Sequence, residues 1–152
     1  MNTVVLYFSR TGNSKRVAEN IAQRLGSQIA CITDEESWKG PAGFAKGAKY
    51  AATWETTQPT VTPKVDFSEY NQIVIVSPVW AGNPAPSVYS LILQELTQQL
   101  DKISLVLTCA GMMLPVSSKI ESKLGHMNSI HVIVKIKLDE KKVVDQIVKE
   151  LL

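Results

Sequence analysis

The stretch that most constrains the fold of this chain runs from Val4 to Leu25, VVLYFSRTGNSKRVAENIAQRL. It opens with a short run of Val, Leu and aromatic residues that stops at Ser9, which is typical of a buried strand. From Ser14 onward, apolar residues recur at helical spacing as far as Leu25. The pattern predicts a strand, a tight loop and a helix in immediate succession.

The loop between that strand and that helix consists mostly of small residues, Ser9, Thr11, Gly12, Asn13 and Ser14. These residues can donate hydrogen bonds without a bulky side chain in the way, and the free amides of the first helical turn point to the same place. We interpret the loop as an anion-binding site. Its sequence has neither the Gly-Lys-Ser/Thr of a P-loop nor the GxGxxG of a dinucleotide fingerprint. The alternative is an ordinary helix N-terminus with Asn13 or Ser14 as the N-cap.

The rest of the chain alternates between strand and helix patterns. Further strands are predicted at Gln28–Thr33, Gln72–Ser77, Lys102–Thr108 and Ile130–Leu138, the last with Lys135 and Lys137 facing water. Further helices are predicted at Pro41–Ala52, from Asn83, Pro84 or Pro86 to Leu96, at Pro115–Leu124, and after Asp139 as an N-cap. The segment Glu55–Pro63 is predicted to be a surface loop, and Asp66–Tyr70 one helical turn. The alternation predicts an α/β fold, a three-layer doubly wound five-stranded parallel sheet with the order 2-1-3-4-5.

Composition limits the classes of protein to which this chain can belong. Its 152 residues fit one domain spanning residues 1–152, and 45% apolar with 20% charged residues is usual for a globular protein. No apolar run approaches the roughly 20 residues of a membrane helix, and the N-terminus lacks the features of a signal peptide. We therefore expect a cytoplasmic protein with no membrane partner. A net charge of +2 is too small to argue for nucleic-acid binding.

The cysteines and histidines give no sign of a metal site. Cys31 and Cys109 lie in or beside separate predicted strands without zinc-type or CxxC spacing, so we expect thiols in a reducing compartment. His126 and His131 have no second ligand at a suitable spacing. No metal ligand and no catalytic residue is therefore assigned.

The predicted sheet brings three loops to one edge. Ligands of such sheets bind beyond the carboxyl ends of the strands at the switch point, between strands 1 and 3. The loops that meet there are Ser9–Ser14, Pro78–Pro84 (PVWAGNP) and Cys109–Leu114 (CAGMML). Each contains small residues that let the backbone approach a ligand closely. Three more aromatic residues could approach from this side or cover the core or a partner surface: Trp38, Tyr50 and Trp54.

The motif SRTGNS at the end of the first strand resembles the Ser/Thr-x-Thr-Gly-Asn-Ser/Thr phosphate loop of the flavodoxin family, whose members bind flavin mononucleotide (FMN). The predicted order of strands is also that of flavodoxin. The resemblance implies that FMN is the cofactor and that its phosphate is bound by Ser9, Arg10, Thr11, Gly12, Asn13 and Ser14. It implies that the flavin and ribityl chain lie between two further groups, Pro78, Val79, Trp80, Ala81 and Gly82 on one side and Cys109, Ala110, Gly111 and Met112 on the other. Arg10, Lys15 and Arg16 flank the phosphate loop, either to balance a bound dianion or as solvated surface cations.

The resemblance further implies a redox protein that passes electrons through a non-covalently bound flavin to partner proteins or to a small acceptor. The alternative is an NAD(P)H-dependent FMN or quinone reductase, and a third class is a binding module that keeps the fold without using a flavin. The loop CAGMML has neither the acidic residue nor the stacking tyrosine usual in electron-carrying flavodoxins, and the chain is slightly basic. We therefore expect a higher second reduction potential than that of a dedicated low-potential carrier. The protein is expected to be a monomer or a homodimer, with a dimer face around Trp38 and Trp54.

Overall fold

The structure is a computed structural model that describes residues 2–109, 113–134 and 136–152. Three residues of the predicted site, Ala110, Gly111 and Met112, lie outside the described residues. So do Lys135 and the side chain of Lys137, and with them the prediction that these lysines face water.

Within the described residues the chain forms seven strands and five α-helices. The strands are β1 (Thr3–Tyr7), β2 (Gln28–Thr33), β3 (Thr60–Thr62), β4 (Gln72–Trp80), β5 (Asn83–Pro84), β6 (Ile103–Thr108) and β7 (Ser129–Ile133). The helices are α1 (Asn13–Leu25), α2 (Gly40–Thr53), α3 (Pro86–Glu95), α4 (Ser117–Leu124) and α5 (Ile136–Leu151). Single 3-10 turns lie at Phe67–Glu69, as predicted, and at Leu100–Lys102. None of the helices in the described part of the chain combines the length and apolarity needed to span a membrane.

The five longest strands form a parallel sheet in the order β2-β1-β4-β6-β7. Numbered among themselves, these strands have the order 2-1-3-4-5, so the predicted fold class is confirmed. Tyr7, at the end of β1, lies opposite Cys31 on β2 and Val76 on β4. The carboxyl ends of the three strands therefore meet at one edge, where β2 and β4 lie on opposite sides of β1.

The sheet separates two apolar layers. On one face α1 and α5 cover the β1 and β4 residues Val5, Val74 and Val76, all of which are fully buried. On the other face α3 and α4 cover alternate residues of the same strands, such as Leu6 and Ile75. Fully burying a side chain of this kind contributes about 1.5–3 kcal/mol. Burial on both faces explains why these strands are continuous runs of β-branched residues.

Two strands, β3 and β5, were not predicted. Asn83–Pro84 forms β5, which pairs antiparallel with β4, and α3 begins at Pro86, so the alternative helix starts at Asn83 and Pro84 are wrong. Thr60–Thr62 forms β3, which pairs antiparallel with β2, so the prediction that all of Glu55–Pro63 is a surface loop is wrong for these three residues. The β-branched triplet TVT adds a strand to the exposed edge of β2. The strand β4 also continues through Pro78 to Trp80 instead of ending at Ser77. Because β1 ends opposite Val76, Pro78 lies beyond that ladder and needs no amide donor there.

The predicted boundaries near the C-terminus were also wrong. The last strand, predicted as Ile130–Leu138, ends at Ile133, and α5 begins at Ile136 with Asp139 inside its first turn. Ile133 pairs with Thr108, the last residue of β6, so no neighbouring strand remains to extend the ladder. The helix predicted from Pro115 begins at Ser117.

Candidate functional site

A cavity of about 490 Å³ lies at the carboxyl edge of β1 and β4. Its volume is within the range of roughly 300–1,000 Å³ that is typical of small-molecule sites. The residues that line it are Ser9, Arg10, Thr11, Asn13, Ser14, Phe44, Ala48, Pro78, Val79, Trp80, Ala81, Thr108 and Met113. The first and second predicted loops thus contribute side chains to one cavity.

The loop that follows β1 (residues 9–14, the hydroxyl loop) positions the start of α1 at this cavity. Gly12 is the N-cap, with a φ of 96° in the left-handed region that glycine adopts readily. The alternative N-caps, Asn13 and Ser14, are therefore wrong. The backbone N–H of Gly12 donates to Oγ of Ser9 at 2.9 Å. Within the described residues no side chain caps α1, so its first-turn amides remain available as donors at the positive end of the helix dipole.

A chain of polar contacts orients the amide of Asn13. Nη1 of Arg16 donates to Oδ1 of Asn13 at 3.1 Å, and Nδ2 of Asn13 faces Oγ1 of Thr11 at 3.5 Å. Arg16 is itself paired with Glu140 of α5 at 2.7 Å, and this hydrogen bond raises the pKa of the guanidinium. Lys15 lies 4.0 Å from Glu19. Arg16 and Lys15 thus have acidic partners on helices and do not line the cavity, in line with the interpretation as surface cations.

Arg10 connects the hydroxyl loop to the start of α2. Its Nε donates to the carbonyl of Trp38 at 2.7 Å, and its Nη2 donates to the carbonyl of Gly40 at 3.1 Å. The guanidinium also lies 5.4 Å from the ring centroid of Phe44, whose side chain is 62% exposed at the rim. Of the described residues that line the cavity, Arg10 alone carries a charge.

The floor of the cavity includes a buried pair of hydroxyls. Oγ of Ser14 lies 2.8 Å from Oγ1 of Thr108, at the end of β6. This hydrogen bond ties the first turn of α1 to a strand 94 residues away in sequence.

The second predicted loop is a tight β-hairpin. Val79 pairs with Pro84 and Trp80 pairs with Asn83, which leaves Ala81 and Gly82 as the turn residues. Their φ angles of 50° and 79° are both positive, as a type I′ turn requires. Alanine in this region is strained by about 1 kcal/mol. The strained Ala81 lines the cavity, so the turn holds backbone close to any ligand there.

Other aromatic rings hold the side chain of Trp80 in place. Its ring packs edge-on against Phe8 and against Trp38, each at a centroid distance of 5.4 Å. A Cβ at Gly47 of α2 would lie 2.8 Å from Cζ3 of Trp80, so only glycine allows this approach. We call Trp80, Trp38 and Gly47 the aromatic wall.

No family model matches the chain, and no curated protein matches its sequence. Solved structures do match its fold. A flavoprotein from Lactobacillus acidophilus NCFM, crystallised in complex with FMN, superposes with a TM-score of 0.71 at 20% identity, covering 93% of this chain and 97% of that one. The chain has a flavodoxin-like fold.

Two further structures with this flavodoxin-like fold are proteins of different kinds. One is a flavodoxin from the domain Archaea, with a TM-score of 0.57 at 13% identity and 99% coverage of both chains. The other is an NAD(P)H:quinone oxidoreductase from Methanothermobacter marburgensis, with a TM-score of 0.53 at 9% identity, covering 99% of this chain and 96% of that one. Identities this low establish the fold alone.

In this flavodoxin-like fold the cavity lies at the switch point, but not every predicted site residue lines it. Among the described residues, Gly12 and Gly82 provide backbone geometry instead of a lining side chain. Cys109 is 2% exposed and does not line the cavity, and its thiol donates to the carbonyl of Met113 at 3.6 Å.

Four lining residues were missed as site residues: Phe44, Ala48, Thr108 and Met113. Phe44 and Ala48 are four apart on the predicted second helix, a spacing that was used only to predict the helix. Thr108 immediately precedes the third predicted loop and Met113 belongs to it. Their position in the sequence could therefore have identified them as site residues. Trp38, Tyr50 and Trp54, which the sequence offered as flavin neighbours or core aromatics, do not line the cavity. Trp38 is 7% exposed and belongs to the core behind Trp80.

The cavity lining combines polar and apolar residues, which can bind different parts of one ligand. Apart from the charged Arg10, the hydroxyl loop and the first turn of α1 offer uncharged donors, which is the chemistry of a phosphate site. The lining also includes the apolar side chains of Phe44, Ala48, Pro78, Val79 and Trp80. A molecule with an anionic head and a flat aromatic body matches this arrangement.

Proposed function

We propose that this chain binds FMN non-covalently in the cavity and transfers electrons through it. The proposal is carried by one observation. The N-terminus of α1, which has no side-chain cap, borders an apolar cavity of about 490 Å³ that Trp80 lines. FMN has a phosphate at one end and a flat three-ring system at the other. The presence of FMN in the Lactobacillus acidophilus flavoprotein, which shares the fold, supports the proposal.

Each part of the cavity has a role in the proposal. Ser9, Thr11 and Asn13 donate hydrogen bonds to the phosphate together with the first-turn amides of α1. Trp80 covers one side of the ring system, and the hairpin backbone at Ala81 approaches its edge. The family resemblance implies that Ala110, Gly111 and Met112 bind on the other side of the ring system. Bound FMN supplies reversible one- and two-electron chemistry, while the protein fixes its position and its electrostatic surroundings.

The charge of the lining residues bears on the redox role. No carboxylate is found among the described residues that line the cavity, and Arg10 provides a positive charge at its edge. A reduced, anionic flavin therefore meets no like charge there. We propose that the second reduction potential lies above that of carriers whose flavin is surrounded by acidic residues.

An anaerobic titration tests the electron-transfer role. The protein is loaded with FMN, freed of unbound FMN by gel filtration and reduced with dithionite while its visible absorbance is recorded. We expect complete reduction with the flavin retained, followed by reoxidation when a one-electron acceptor such as ferricyanide is added. Loss of FMN on gel filtration, or a bound flavin that resists reduction, would contradict the proposal.

A second candidate function is NAD(P)H-dependent reduction of a quinone or free flavin. The exposed apolar rim favours it, because Phe44 and Met113 are 62% and 61% exposed beside the cavity and offer a surface on which a flat small acceptor can stack. Steady-state oxidation of NADPH by the FMN-loaded protein, with and without a quinone, separates the two functions. Quinone-dependent turnover supports the reductase, whereas its absence leaves the carrier.

A further inference from the structure

Three aromatic side chains form an unbroken series of contacts that leads away from the cavity. Trp80 lines the cavity, and its ring lies 5.4 Å from the ring of Trp38 between centroids. Trp38 in turn lies 5.5 Å from Tyr50, which is half-buried. Both contacts are edge-on, so ring atoms of successive members are in van der Waals contact. The side chains involved are the two most readily oxidised aromatic types.

The second and third members of the series each donate their acidic hydrogen to a carboxylate. Nε1 of Trp38 donates to Oδ1 of Asp34 at 3.0 Å. The hydroxyl of Tyr50 donates to Oε1 of Glu36 at 3.3 Å. Oxidation turns an indole or a phenol into a far stronger acid, so a hydrogen-bonded base at that position makes the loss of an electron easier. A purely space-filling aromatic cluster does not require these bases.

The charges around the series act in opposite directions, since the hydrogen bond with Lys46 lowers the pKa of the Glu36 carboxyl. Burial raises the pKa of Asp34, which makes its carboxylate a better proton acceptor. The ammonium of Lys46 lies 5.1 Å from the Trp38 ring centroid, a position that disfavours a radical cation. Glu36 compensates by pairing with Lys46 at 2.6 Å. Burial and the Glu36 charge raise the pKa of Tyr50, so its phenol keeps its proton until it is oxidised.

We propose that Trp80, Trp38 and Tyr50 form an aromatic relay that carries an oxidising equivalent from the flavin site to the protein surface beside Glu36. This inference rests on the proposed binding of FMN. Blue light absorbed by oxidised FMN starts the sequence, in which the excited flavin takes one electron from Trp80. Trp38 then reduces oxidised Trp80, and Tyr50 reduces oxidised Trp38. As Tyr50 loses its electron, its O–H bond breaks and the proton passes to Oε1 of Glu36. The flavin gains one electron, and Tyr50 becomes a neutral radical.

The chain contains a matched aromatic residue outside the relay. Trp54 contacts Tyr89 at a centroid distance of 4.9 Å, and neither ring contacts a relay ring among the described aromatic pairs. Phe8 does contact Trp80, but a phenyl ring is much harder to oxidise than an indole, so Phe8 does not pass an electron to oxidised Trp80. The relay therefore has one direction, through Trp38.

Electron paramagnetic resonance after blue illumination tests the relay. The FMN-loaded protein is illuminated without oxygen and frozen, and the organic radicals are identified by their hyperfine patterns. We expect a tyrosyl radical in the wild type and in Trp54→Phe, and its loss in Tyr50→Phe and in Trp38→Phe. In Tyr50→Phe a tryptophan radical should replace it. This variant removes only the hydroxyl of a half-buried side chain, so we expect it to fold as the wild type does.

The outcomes separate this inference from the function on which it rests. Failure of the wild type to retain FMN on gel filtration would overturn the proposed function and the relay with it. Retention of FMN with no aromatic radical, or with a tyrosyl radical that persists in either Tyr50→Phe or Trp38→Phe, would overturn the relay alone. A fall in the tyrosyl signal in Glu36→Gln, with FMN binding unchanged, would support Glu36 as the proton acceptor.

Discussion

The hydroxyl loop and the aromatic wall bound the same cavity, but different forces hold them in place. The backbone of the loop depends on one left-handed glycine, one hydrogen bond from Gly12 to Ser9 and a helix N-terminus. Side-chain hydrogen bonds of Arg10 and Ser14 tie it to Gly40 and Thr108. The wall depends on Trp80 and Trp38, which come from distant segments of the chain. They pack together beside Gly43 and Gly47 of α2, where the absence of a Cβ allows a close approach. The backbone turn of the loop is thus set locally, while the wall is a product of tertiary packing. The two should respond differently to substitution.

The largest effect is expected where α2 packs on the wall. A Cβ at Gly43 would lie 2.2 Å from the carbonyl carbon of Trp38, and backbone cannot yield as a flexible side chain can. We predict that Gly43→Ala lowers the free energy of unfolding by about 3 kcal/mol, measured by urea denaturation. A loss below about 0.5 kcal/mol would show that Trp38 can shift to make room for the added methyl group, and that close packing does not fix the aromatic wall.

The matching substitution in the loop should have a smaller effect of a different kind. Nothing lies within 4 Å of a Cβ built on Gly12, so Gly12→Ala suffers only the strain of its φ of 96°. We predict a loss of about 1–2 kcal/mol in the same denaturation experiment, together with weaker FMN binding. A loss larger than that of Gly43→Ala would reverse the comparison between loop and wall.

A pair of ion pairs tests whether charge near the loop matters. Arg16–Glu140 and Arg24–Asp145 both join α1 to α5, at 2.7 and 2.6 Å, but only Arg16 also contacts Asn13 of the loop. Glu140→Gln releases a cation beside the phosphate site. We predict that it raises FMN affinity by about fivefold at low salt, a gain of ~1 kcal/mol, and that the gain fades at high salt.

Asp145→Asn is the control for this prediction, because it breaks the equivalent pair far from the loop and should leave FMN affinity unchanged. Calorimetric titration measures both variants. A fall in affinity in Glu140→Gln would mean that Arg16 acts by orienting Asn13 and not through its charge.

The smallest effect concerns the polar anchor of the wall. Burial raises the pKa of Asp34 above 3.8 in the folded state, so the folded protein binds this proton more tightly than the unfolded chain does. Ionisation of Asp34 therefore opposes folding, and its contribution to stability falls as pH rises through the range just above 3.8. Asp34→Asn removes this dependence and can still accept from the indole of Trp38.

We predict that the free energy of unfolding of the wild type, relative to Asp34→Asn, decreases as the pH rises above about 4. Urea denaturation over that range measures the difference. A difference that stays constant with pH would show that Asp34 is not desolvated in the folded protein.

The contrast between loop and wall also explains how much could be predicted from the sequence. The order of the parallel strands and the hydroxyl loop follow from local patterns, since each strand and each turn carries its own signal. The strand β3 does not, because TVT becomes a strand only beside the open edge of β2. Likewise the last strand stops at Ile133 because its partner stops at Thr108, which the alternation of residues 130–138 does not reveal.

The cavity lining was predictable to the same limited extent. Side chains of the hydroxyl loop and the hairpin line one cavity, because each motif fixes its own backbone geometry. Phe44 and Ala48 were missed because the face that α2 turns to the cavity depends on how Gly43 and Gly47 pack against the wall. Trp38 was a candidate neighbour of the flavin, and the structure places it one ring further back.

The central claim is that the hydroxyl loop binds the phosphate of a flavin. Calorimetric titration of the purified protein with FMN and with riboflavin, which lacks the phosphate, tests it most directly. Because several charge-assisted hydrogen bonds depend on that group, we predict that FMN binds at least about a hundredfold more tightly than riboflavin. Equal affinity for the two flavins, or no heat with either, would contradict the claim.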